Sequence, residues 1–119
     1  MRPVFICYDK CSTCQKARKW LDAHDIPYTV RPIREQNPTL EELLAWLKMS
    51  GLPVKRFVNT SGQLYRQMGL SKQLPQMTEE EQLALLSTDG MLVKRPLLIM
   101  ENRVLTGFKE TEWEEALLG

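Results

Sequence analysis

Two cysteines, Cys11 and Cys14, are separated by Ser12 and Thr13 and stand where an apolar run, Pro3-Val4-Phe5-Ile6-Cys7-Tyr8, gives way to helically spaced apolar residues from Gln15 to His24. That position puts Cys11 at the N-terminus of a helix. Unpaired amides and the positive end of the helix dipole favour a thiolate there and lower the thiol pKa below its free value of about 8.5. Lys10, Lys16, Arg18 and Lys19 lie close by in sequence and push the same way, within the limits of solvent screening. A thiolate one helical turn from a second thiol is what thiol–disulfide exchange requires. Other uses of the pair stay open. A zinc site would need Cys7 and the single histidine, His24, to converge on it. A structural bridge over so short a loop would remove little chain entropy. Two cysteines can also be small core hydrophobes.

The elements that must position this pair can be read from patterning. The first strand and helix are followed by a second strand over Ile26-Pro27-Tyr28-Thr29-Val30-Arg31-Pro32-Ile33, which predicts a parallel pair with a right-handed crossover. Pro38 and the capping box Thr39-x-x-Glu42 open a helix with Leu40, Leu43, Leu44 and Leu47 on one face, ending near Gly51. From Leu52 to about Leu92 there is no strand signal. Short helical pieces break at Pro53, Gly62, Gly69 and Pro75, and a second box, Thr78-x-x-Glu81, opens a helix that stops at Asp89-Gly90. Leu97 to Met100 and Arg103 to Phe108 form a hairpin about Glu101-Asn102, and a last helix starts near Thr111-x-x-Glu114.

The order β-α-β, helical insert, β-β-α, with the cysteine pair opening the first helix, predicts an α/β fold of thioredoxin-like (glutaredoxin-like) topology with a mixed four-stranded sheet. It is expected as one domain over 1–119, with a core of 1–35 and 93–119 and a helical insertion at about 38–92. That topology places a proline, often in cis, before the third strand and over the active sulfur. Pro96 occupies this place.

The bulk properties bound the function. A chain of 119 residues can bury a core without metal or disulfide staples. With 16 Lys plus Arg against 15 Asp plus Glu, the net charge of +1 gives no electrostatic drive toward nucleic acid. Three cysteines and no signal-like start point to the cytoplasm, and no apolar run is long enough for a membrane span. Nothing demands more than a monomer.

Cys11-x-x-Cys14, Lys16-Ala17-Arg18-Lys19-Trp20-Leu21, Phe57-Val58-Asn59-Thr60-Ser61-Gly62, Lys94-Arg95-Pro96-Leu97 and Gly107-Phe108 together resemble the ArsC/Spx family, and within it the small Gram-positive ArsC/Spx-like members. The resemblance covers essentially the whole chain. It implies an arsenate reductase-like thiol oxidoreductase without metal or organic cofactor, reduced by a small thiol or a thioredoxin/glutaredoxin-type protein. Cys11 would be the nucleophile and Cys14 the resolving thiol, with Ser12, Thr13, Arg95 and Pro96 stabilising a thiolate or an oxyanion. Of the three arginines that hold arsenate in the family's reductases, only Arg95 is carried over; the other two places hold Asn59 and Gly107. Losing charge-assisted contacts worth about 1.5–3 kcal/mol each makes efficient arsenate reduction doubtful. The alternative implied by the resemblance is an Spx-like redox-sensing regulator that binds the C-terminal domain of the RNA polymerase α subunit. Cys7 reads as a buried core thiol, Lys94 as an ordinary surface charge and His24 as a helix C-terminal residue.

Overall fold

The structure, a computed structural model, describes residues 2–119. Its sheet has four strands: β1 (Val4–Cys7), β2 (Thr29–Pro32), β3 (Leu97–Ile99) and β4 (Val104–Thr106), in the spatial order β2-β1-β3-β4. The β1–β2 pair is parallel, with Val4 opposite Thr29, whereas β1–β3 and β3–β4 are antiparallel. Helix α1 (Ser12–Ala23) makes the crossover between the parallel strands. The mixed sheet, the crossover and the helical segment between β2 and β3 agree with the thioredoxin-like expectation.

Strand alternation sorts the core into two layers. Phe5, Cys7, Leu98 and Leu105 pack with Cys14, Ala17, Trp20 and Leu21 of α1 and with Trp113. Ile6, Leu97, Ile99 and Val104 face the other way, toward Leu43 and Trp46 and toward Leu83 and Leu86. Those residues belong to α2 (Leu40–Ser50) and α5 (Glu79–Leu86), between which lie the short helices α3 (Gln63–Gln67) and α4 (Leu70–Gln73). The chain closes with α6 (Glu110–Leu117) on the α1 face.

Both internal capping boxes form as the spacing predicts. The Thr39 and Thr78 hydroxyls accept from the Glu42 and Glu81 amides, and each glutamate carboxylate accepts in turn from its threonine's amide. Gly51 ends α2 at φ 67, a left-handed value that glycine adopts without steric cost.

Several expectations need correction. The strand begins at Thr29 rather than Ile26, because its partner begins only at Val4 and the Ile26 amide instead donates to the Leu21 carbonyl as the helix unwinds. Leu44 is 37% exposed, and Trp46 takes its place in the core face of α2. Pro38 precedes the α2 cap, and α5 ends at Leu86, leaving Asp89 to cap a separate 3-10 turn, Gly90–Leu92. The Thr111-x-x-Glu114 box does not form; α6 starts at Glu110 after Lys109. Docking of the wholly buried Trp113 against Phe5, Trp20 and Phe108 fixes that end of the chain. Among the described residues, no helix is long and apolar enough to cross a membrane.

Candidate functional site

Cys11 is the N-cap residue of α1, with extended backbone at φ −93 and ψ 118, and it is half-buried. A turn closed by the Cys11 amide donating to the Tyr8 carbonyl links it to the end of β1. Cys14, one turn inside, is 3% exposed, and its Sγ accepts from the Tyr8 amide at 3.4 Å. All three cysteines are free thiols. Among the described residues no cluster of His, Cys, Asp and Glu could hold a metal ion. His24 caps the C-terminus of α1 and packs edge-on to Trp20 at 4.3 Å, away from the pair.

The two sulfurs have opposed acidities. Burial works against the charged form of Cys11, yet the Cys14 amide, the Cys14 thiol, the Arg95 guanidinium and the Thr13 amide outweigh it and hold its pKa below the ordinary value. Cys14 is pushed up to about 12, chiefly by burial. Cys11 is thus the more readily ionised sulfur, set over one that keeps its proton.

Arg95 is the cation from outside the loop that acts on Cys11, through the fold rather than through sequence proximity. The Arg95–Pro96 peptide is cis. The guanidinium lies 5.2 Å over the Tyr8 ring, donates through Nη1 to the Met91 and Val93 carbonyls, and keeps a buried Nε that has no partner among the described residues. Its Tyr8 contact joins the proline loop to the residue whose amide holds Cys14. Ser12 and Thr13 begin α1 and are exposed; Thr13 contributes its amide to Cys11, and no side chain closes a cap hydrogen bond at this helix end.

Arg95 also lines a cavity of about 360 Å³ with Asn59, Gly62, Gln63, Leu64 and Met91. Asn59 is fixed by donating to the Met91 carbonyl, and a Cβ at Gly62 would meet its Nδ2 at 2.5 Å. A neutral amide therefore stands where the resemblance expects the second arginine. At the third place, Gly107 adopts φ 69, and a Cβ there would meet Lys94 Cε at 3.0 Å. Lys94 was not legible as part of this region. It reads in sequence as a surface charge, whereas the structure lays its side-chain stem against Gly107.

A parallel strand-helix-strand, an antiparallel hairpin entered through a cis-proline, and a Cys-x-x-Cys at the leading end of the first helix define a thioredoxin-fold protein with a cysteine-pair site. The ArsC family model matches residues 7–116, and the chain belongs to the ArsC family. It is 49% identical to YusI of Bacillus subtilis over 97% of this chain and 98% of that protein. It is 29% identical to the global transcriptional regulator Spx of Staphylococcus haemolyticus, over 86% of this chain and 76% of Spx. The crystal structure of an ArsC family related protein from Bacteroides fragilis superimposes with a TM-score of 0.94 at 59% identity, covering 97% of each chain.

Proposed function

We propose that this chain is a thiol–disulfide oxidoreductase in which Cys11 is the nucleophile and Cys14 the resolving thiol. The observation that carries the reading is the division between the two sulfurs: Cys11 is half-buried, leads α1 and is favoured as an anion, while Cys14 is buried one turn inside and favoured as a thiol.

In the proposed cycle the Cys11 thiolate attacks one sulfur of a substrate disulfide. A new S–S bond forms, and the other substrate sulfur leaves as a thiolate. Cys14 then loses its proton and attacks the Cys11 sulfur, releasing the second substrate thiol and leaving a Cys11–Cys14 disulfide. A small thiol or a thioredoxin/glutaredoxin-type reductant returns both cysteines to thiols. Arg95 and the Thr13 amide stabilise the anion, and Ser12 and Pro96 shape the loops on either side. The protein acts in the cytoplasm as a monomer, without metal or organic cofactor. Arsenate is a poor substrate on this reading, because Asn59 and Gly107 leave Arg95 as the one arginine of the three.

The test places bis(2-hydroxyethyl) disulfide and arsenate side by side. Cys11→Ser abolishes turnover, and Cys14→Ser accumulates a mixed disulfide on Cys11; normal turnover in both variants refutes the cycle.

The likeness to Spx favours a second reading, a redox-switched regulator that binds the C-terminal domain of the RNA polymerase α subunit. Pull-down with that isolated domain separates the two. Binding that changes between reducing and oxidising conditions supports the regulator, and absence of binding together with disulfide turnover supports the enzyme.

A further inference from the structure

The cycle above leaves one thiol unused. Cys7 ends β1, is 5% exposed, and falls on the same side of the sheet as Cys14 and Ala17. The amide that follows it in the chain, that of Tyr8, donates to Cys14 Sγ at 3.4 Å. A Cα lies about 2.4 Å from the next residue's nitrogen, so Cys14 Sγ sits within about 6 Å of the Cys7 Cα. Rotation about the Cys7 side chain turns its sulfur toward Cys14, which shares its packed layer on one side of the sheet. The two cysteines also line one cavity of about 240 Å³, together with Tyr8, Asp9, Gln15 and Arg18. That cavity connects the region of the two cysteines with solvent.

We propose that Cys7 is a third redox thiol, which takes Cys14 out of the Cys11–Cys14 disulfide and stores the oxidation as a buried Cys7–Cys14 bridge. The inference rests on the cycle proposed above. In the step, Cys7 releases its proton to solvent through the cavity, and its thiolate attacks Cys14 Sγ. The Cys11–Cys14 bond breaks as the Cys7–Cys14 bond forms, and Cys11 leaves as a thiolate. One disulfide is exchanged for another, with no net oxidation. The direction follows from leaving-group chemistry, since the more acidic thiol leaves faster and is the more stable when released. Cys11 is held below its ordinary pKa, whereas burial raises both Cys7, against the opposing pull of Arg18, and Cys14. The bridge thus migrates inward and returns a reactive Cys11 while the protein stays oxidised.

The experiment oxidises the unsubstituted protein with one equivalent of bis(2-hydroxyethyl) disulfide, labels it with iodoacetamide under native conditions, and maps the peptides by mass spectrometry. The expected result is a Cys7–Cys14 cross-link with Cys11 free and labelled under native conditions. In Cys7→Ala, oxidation instead slows Cys11 labelling by at least about tenfold, because Cys11 stays bridged to Cys14. A Cys11–Cys14 cross-link in the unsubstituted protein, with Cys7 labelled only after denaturation, overturns the inference and leaves the cycle standing. Absence of any intramolecular disulfide overturns both.

Discussion

The guanidinium of Arg95 lies 5.2 Å over the ring of Tyr8, and the same Tyr8 gives its backbone amide to Cys14 Sγ at 3.4 Å. One residue of the loop after β1 therefore ties the cis-proline loop to the buried member of the cysteine pair. The arrangement places a fixed cation near Cys11, with no salt bridge to Arg95 among the described residues.

Replacing Arg95 removes that cation. Arg95→Gln raises the pKa of Cys11 and, with about a tenfold loss of thiolate for each unit, slows its alkylation at neutral pH by about three- to tenfold. Cys14, whose acidity is set chiefly by burial, keeps its unreactive behaviour. Stopped-flow alkylation against pH checks both sulfurs, and an unchanged Cys11 profile would show that Arg95 does not act on it.

Arg31 and Glu42 pair at 2.6 Å between β2 and α2 and hold the Glu42 carboxyl at about 2, below its ordinary 4.5. A carboxyl that is more acidic folded than unfolded stabilises the fold above its unfolded value and loses that contribution as pH falls through its folded value. The decline belongs between about pH 4.5 and 2. Because the Glu42 side chain is 35% exposed, water screens the pair, and Glu42→Gln costs about 1 kcal/mol at neutral pH. Thermal melts of both proteins across that acid range check the sign: the gap closes as pH falls, and parallel curves would contradict it.

Gly90 is a packing requirement. A Cβ there would meet the Ile33 carbonyl oxygen at 2.5 Å and Asn37 Oδ1 at 2.8 Å, where the helical segment returns to the end of β2. The first neighbour is backbone, and the second belongs to a side chain held by its Nδ2 donating to the Pro38 and Ser87 carbonyls, so Gly90→Ala destabilises by about 1–3 kcal/mol. Urea midpoints measure it. A neutral substitution would mean that the contact relaxes freely.

Trp113 is wholly buried, edge-on to Phe108 at 5.0 Å and to Trp20 at 6.2 Å, and its Nε1 donates to the Gly107 carbonyl at 3.1 Å. Trp113→Ala leaves a cavity and an orphaned carbonyl, at a cost of about 3–5 kcal/mol. Since α6 packs against the same layer as α1, the melt is expected to fall as a single transition, which calorimetry can read directly.

What the sequence disclosed follows the range of the forces involved. Thr39-x-x-Glu42 and Thr78-x-x-Glu81 are complete within one helical turn, so their spacing suffices to predict them. The Cys11–Cys14 spacing is equally local, as is the helix that carries it. Long-range pairing left no such mark. The Val58–Val93 bridge, flanked by Asn59 donating to Leu92 and Lys94 to Phe57, joins segments with no alternating pattern, and it sets the approach to Arg95. Likewise Thr111-x-x-Glu114 has the right residues for a cap, but α6 starts earlier, at Glu110, with no side-chain cap bond. Lys94 over Gly107 is a contact between residues thirteen positions apart, which local patterning does not show.

Thiol–disulfide exchange at this site requires Cys11 to ionise ahead of an ordinary thiol while Cys14 does not. Its most direct test is the rate of iodoacetamide alkylation at each cysteine of the reduced protein, followed against pH by peptide mass spectrometry. The predicted result is a Cys11 midpoint below that of free cysteine, about 8.5, with Cys14 unlabelled across the neutral range. A Cys11 midpoint at or above the free value, or labelling of the two sulfurs in parallel, would contradict it.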